Sequence, residues 1–153
     1  MRHPGGRRRN RPLALTARPL LAVDDAAVPV WTSARATATN AYRIIDGLSA
    51  ELVKSQSVVD RMGRPRAIKG ATVTYTLAAR LEGWGVARDL TIGDPIPAGS
   101  TYVPGSLRLD GAALTDDADG DVGQASADGI LVRLGDVPAP ALRTVTFQVL
   151  INP

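Results

Sequence analysis

From Ala71 to Leu81 the chain reads ATVTYTLAARL, with Val73, Tyr75 and Leu77 on one parity and Thr72, Thr74 and Thr76 on the other. Side chains of an extended strand point to opposite faces in turn, so this period of two predicts an antiparallel strand with one face in a core. No segment carries a sustained 3.6-residue apolar period with helix caps. LSAELVKSQSVVD supplies a strand around Leu52 and Val53, and with the next two residues, LSAELVKSQSVVDRM, it is the one stretch whose spacing also tolerates a short helix.

The remaining chain repeats this pattern of short runs and turn signals. The Gly-bounded EGWGV turn precedes a strand through Leu90 and Ile92, and a crossing punctuated by Pro95 and Pro97 leads to a strand through Leu107 and Leu109 closed by Asp110-Gly111. GILVRLG and RTVTFQVLIN follow, separated by DVPAPAL. Prolines lack an amide donor, which places Pro95 and Pro97 at an edge or corner. About seven strands over some 100 residues predict an all-β, Ig-like antiparallel sandwich.

The domain reading is a basic, disordered arm over residues 1–28, an extra strand or remnant of a preceding repeat over 29–48, and the sandwich over 49–153. Arg2, Arg7, Arg8, Arg9, Arg11 and Arg18 all precede the first acidic residue, Asp24, and the net charge of +3 therefore belongs to the arm. Such an arm reads as a solvated tail and not as a specific nucleic-acid interface. Its apolar stretch is broken by Arg18 and two prolines, so no export signal is evident. No apolar run approaches the roughly 20 residues that span a bilayer.

There is no cysteine, and the one histidine, His3, lies in the arm. A Ser-His-Asp or Cys-His nucleophile therefore cannot be assembled on the sandwich. No Gly-rich phosphate loop precedes a helix. The expectation is a protein without enzymatic activity.

Four blocks carry a resemblance: LVKSQSVVD, GATVTYTLAA, LTIGDPIPAGSTYVPGSLRLDGAALTD and ILVRLGDVPAPALRTVTFQVLIN, in that order over about residues 51–152. Together they are similar to the conserved repeat domain of bacterial cell-surface proteins, a domain-of-unknown-function family. The DPIPAGSTYV block is the most specific part. The resemblance implies an Ig-like fold, an extracellular or cell-surface location, and use as a stalk or spacer repeat in cell adhesion, with neighbouring repeats or host components as partners. Family members usually carry several repeats, and a single copy such as this also fits a truncated cytoplasmic fragment.

Three groups of residues are candidates for chemistry. Gram-positive surface Ig-like domains can join a strand-borne lysine to an asparagine, and Lys54, Asn152 and Asp94 are the corresponding candidates for an isopeptide bond. That bond needs a neutral amine and a protonated acid, both favoured by burial. The plainer reading takes Lys54 as a solvated strand lysine, Asn152 as a chain-end residue and Asp94 as a turn or strand-end cap before Pro95. Asp117, Asp119 and Asp121 alternate in an acidic loop and could offer oxygens to calcium, although no bidentate Glu closes the loop and a solvated acidic loop is the alternative. No other cofactor is expected.

Trp84, in its glycine turn, is the aromatic placed for an exposed ligand contact in an adhesin, whereas Tyr75 and Phe147 read as core. Unpaired sheet edges invite pairing with another copy, for which Ser33–Ile45 is the natural donor if it lacks a sheet of its own.

Overall fold

The computed structural model describes residues 14–16, 35–45 and 47–153, within which the chain is entirely strand, turn and loop. The described residues form eleven strands: β1 Ala14–Thr16, β2 Arg35–Ile45, β3 Leu48–Val59, β4 Thr72–Gly83, β5 Val86–Pro95, β6 Ser100–Tyr102, β7 Arg108–Leu109, β8 Ala112–Ala113, β9 Gly123–Ala125, β10 Gly129–Pro138 and β11 Ala141–Ile151. They fall into two sheets. One has the order β1-β5-β10-β9, and the other β2-β3-β4-β11-β7-β8, with β6 also on β11.

The alternating segment becomes β4, at the centre of the larger sheet. Tyr75 pairs across to Phe147 of β11 on one side and to Gln56 of β3 on the other. Val73, Tyr75, Leu77, Ala79 and Leu81 face inward and are buried, whereas the threonines between them are half-buried on the outer face. Phe147 packs with Tyr75 at a ring-centroid distance of 5.3 Å and with Tyr102 at 6.5 Å, both tilted. Burying rings of this size provides much of the driving force for closing the sheets. From the smaller sheet, Leu90, Ile92, Ile130 and Val132 complete the core.

Several expectations are revised. The segment that tolerated a helix is β3, extended throughout, with buried and partly exposed residues alternating from Leu48. The predicted strand over 107–109 shrinks to the two residues of β7, because Leu107 turns into the core. DVPAPAL is mostly strand, leaving only Ala139 and Pro140 between β10 and β11. Ser33–Ile45 does not lack a sheet: its residues 35–45 pair antiparallel with β3 along their whole length, which removes the condition for donating it elsewhere. Most of the basic arm lies outside the described residues, but Ala14–Thr16 within it is a strand that pairs parallel with β5 and buries Leu15. That parallel pair is an exception to the antiparallel pattern.

The turn of the β2–β3 hairpin meets the end of β4 at Gly47 and Gly83. Gly83 has a φ of 88°, and a Cβ placed on it would stand 2.0 Å from the Gly47 carbonyl oxygen. Gly85 has a φ of 103° but opens on empty space. Backbone strain acts at both positions, and only at Gly83 does a clash add to it. We expect Gly83→Ala to lower unfolding free energy by at least about 2 kcal/mol and Gly85→Ala by about 1 kcal/mol, read from urea melts. Equal losses would contradict the contact.

Candidate functional site

Lys54 lies in β3 in phase with Leu52 and Val58, and that phase points into the core. Asp94 lies in β5 in phase with Leu90 and Ile92, which points it at the same place from the opposite sheet. The two side chains meet between the sheets with no exposed surface. Lys54 Nζ donates to Asp94 Oδ1 at 2.9 Å, and Oδ2 lies 2.8 Å away, held by charge without a hydrogen-bonding angle. The ammonium also stands 4.2 Å from the centre of the Tyr75 ring, where the aromatic quadrupole attracts a cation.

Burial disfavours both charges. It pushes the Asp94 carboxyl up to about 6, against the opposing pull of Lys54. It also lowers the Lys54 ammonium from its ordinary value, against the attraction of Asp94. The Tyr75 hydroxyl is raised too, first by burial and then by the negative charge of Asp94. Both shifts work against the charged forms, and the geometry holds the pair as an ionic tie.

Asn152 does not join it. Lys54 is level with Leu77 of β4, which is level with Val145 of β11, so Asn152 lies seven residues further on, about 20 Å away. There it is exposed, and its Oδ1 accepts the Thr101 hydroxyl at 2.7 Å. The structure therefore brings together two of the three isopeptide candidates and separates the third. An amide between Lys54 and Asp94 would have to expel water with help from a further acid, and Tyr75 offers the pair its ring face.

The acidic loop is turned on itself. Asp121 Oδ2 accepts the Thr115 amide at 2.7 Å and its hydroxyl at 3.0 Å, while Asp121 Oδ1 accepts the Gly123 amide at 2.7 Å. Asp119 accepts the Thr115 hydroxyl and the Asp121 amide. These amides, with Thr115 first, hold the Asp121 carboxyl below the usual range. Asp117 enters through its carbonyl, which accepts the Asp119 amide. The three carboxylates expected to share calcium are not arranged as a set, and among the described residues no three His, Cys, Asp or Glu side chains are grouped to hold a metal. Sequence reading missed Asp116, which accepts the Tyr102 hydroxyl and the Gly105 amide, both at 2.7 Å, and so staples β6 to the loop.

Trp84 sits at the turn between β4 and β5 and is 73% exposed. Val86 and Leu142, also exposed, lie at the same end of the sandwich. These features define a two-sheet β-sandwich with an ionic tie through its core. No family model, curated protein or solved structure matches the chain.

The tie makes two testable claims. Removing one partner strands the other's charge, so Lys54→Met or Asp94→Leu alone should cost about 3–5 kcal/mol, whereas the double replacement should cost less than either, as measured by denaturant unfolding. Additive losses would show that the groups do not interact. On pH, the folded Asp94 value of about 6 lies above the ordinary 3.8. Its contribution is therefore fully present below 3.8 and lost as pH rises through 6. Lys54, lowered on folding, contributes only at high pH, so stability is least where both are charged.

Acidifying from about pH 7.5 to about pH 5 should thus stabilise the wild type by about 1 kcal/mol relative to the double variant. Subtracting the double variant cancels the other titrating groups. No relative gain would refute the raised Asp94 value.

Proposed function

We propose that the chain is a non-catalytic structural and interaction module of a bacterial surface or extracellular protein, a stalk or spacer. The observation that supports this most is the use made of its perturbed ionisable groups. Lys54 and Asp94, whose shifts would suit acid-base chemistry on a surface, are sealed between the sheets at zero exposure. Groups that no substrate can reach serve the fold. Asp119 and Asp121 spend their oxygens on their own loop. The resemblance of residues 51–152 to surface repeats supports the location.

Trp84 favours a second reading, a ligand-binding adhesin domain. An exposed indole lying over Gly47, at the same end of the sandwich as Val86 and Leu142, offers an apolar contact of the kind that stacks on sugars or on a partner protein.

Protease shaving of intact native cells, followed by blotting against residues 49–153, tests the location. Release into the medium is expected, and recovery only from the cytosol would overturn the surface reading. A glycan array run in parallel decides between spacer and adhesin: binding lost in Trp84→Ala establishes the second reading, and silence leaves the spacer.

A further inference from the structure

The connection between β3 and β4 caps one end of the sandwich and reads Asp60, Arg61, Met62, Gly63, Arg64, Pro65, Arg66, Ala67, Ile68, Lys69, Gly70. It contains four cations and one carboxylate, and the carboxylate is turned inward. Asp60 is 5% exposed, and its Oδ1 accepts the Met62 amide at 2.8 Å and the Arg64 amide at 2.9 Å. Its Oδ2 takes the Arg64 Nε at 2.9 Å. The Arg64 amide above all, with those of Met62 and the guanidinium, holds the Asp60 carboxyl below the usual range.

The far side of the loop is fixed as well: the Gly70 amide donates to the Ile151 carbonyl and the Ala71 amide to the Ile68 carbonyl, both at 2.9 Å. Arg61, Arg66 and Lys69 are left exposed, with no ion pair among the described residues.

Between these cations the loop presents apolar side chains. Met62 is 77% exposed and Ile68 47%, and neighbouring Val59 is exposed too. Met62, Ile68 and Gly70 line a recess of about 430 Å³. A soluble polyanion would satisfy the cations and leave Met62 and Ile68 in water. A partner with an anionic surface above an apolar layer satisfies both, and a bilayer of anionic lipid has that arrangement.

We propose that the 60–70 loop is a docking site for anionic lipid bilayers, with Arg61, Arg66 and Lys69 on the headgroups and Met62 and Ile68 inserted among them. The interaction is peripheral. It depends on the loop and not on the surface location proposed above.

The chain has no cysteine, so a single label can be placed on the full protein. An environment-sensitive fluorophore on Met62→Cys should shift to the blue with phosphatidylcholine vesicles containing about 30% phosphatidylglycerol, and not with phosphatidylcholine alone. The same label on Leu142→Cys, at the opposite end, should not shift. In vesicle flotation, Arg61→Glu with Arg66→Glu should weaken binding at least about twentyfold, taking roughly fivefold per charge lost near the surface.

Met62→Ser with Ile68→Ser should weaken vesicle binding about tenfold while leaving heparin binding as in the wild type. Three results would overturn the proposal. The first is wild-type vesicle binding by the Met62/Ile68 variant, which reduces the loop to a polyanion contact. The second is binding that survives loop charge reversal and is lost when Arg7, Arg8 and Arg9 become alanine, which assigns it to the arm. The third is absence of any wild-type binding.

Discussion

The ionic tie between Lys54 and Asp94 is the constraint on which the arrangement of the two sheets depends. Each residue occupies an inward position of a strand whose other inward positions are apolar, and the two strands belong to different sheets. A buried ion pair adds little net stability against an apolar pair of equal volume, because both ions must be desolvated. Its strength lies in what it forbids. A one-residue slip of β3 turns every side chain to the other face, carrying Lys54 into water and leaving Asp94 uncompensated in the core. The same penalty applies to β5. An all-apolar interface of Val, Leu and Ile would tolerate such slips more readily.

Much of this was legible in the sequence, and the limits have a physical origin. Periodicity reports the phase of a strand, so the inward set of β4 and the core roles of Tyr75 and Phe147 could be read directly. The phase of Lys54 with Leu52, and of Asp94 with Leu90 and Ile92, was equally readable and points both residues inward. Phase does not say which inward residues meet, because that depends on how two sheets are stacked and 40 residues separate the pair; the likeness to surface domains groups Lys54 with Asp94 instead. Asn152 shows the cost of pairing by residue type alone: it has the right chemistry and the wrong level along β11.

The turns and short strands were harder for a different reason. β7, β8 and β9 have two or three residues each, too few to show a period. What organises that stretch is a set of carboxylates accepting nearby amides, a local device that competes with regular pairing. From composition, Asp117, Asp119 and Asp121 looked like ligands for a cation. In the folded chain, nearby backbone amides and the Thr115 hydroxyl donate to the oxygens of Asp119 and Asp121. Parallel pairing of Ala14–Thr16 with β5 was invisible because three residues in an Arg-rich arm carry no periodic signal.

The same device acts at the basic loop with the opposite electrostatic result. In the acidic loop, carboxylates fold the chain around themselves and their charges are partly spent on it. At the end of β3 a single carboxylate, Asp60, organises a loop whose other charged residues are all cations and all face out. Asp60 continues the inward parity that runs from Leu48 through Lys54 and Val58. Its position is therefore set by the register of β3, which the ladder with β4 and the tie to Asp94 hold together. A slip that freed Lys54 would also turn Asp60 outward, strip the Met62 and Arg64 amides of their acceptor and release the loop. The buried pair thus bears on the exposed surface: a core interaction fixes how the one strongly basic loop of the described sandwich is presented.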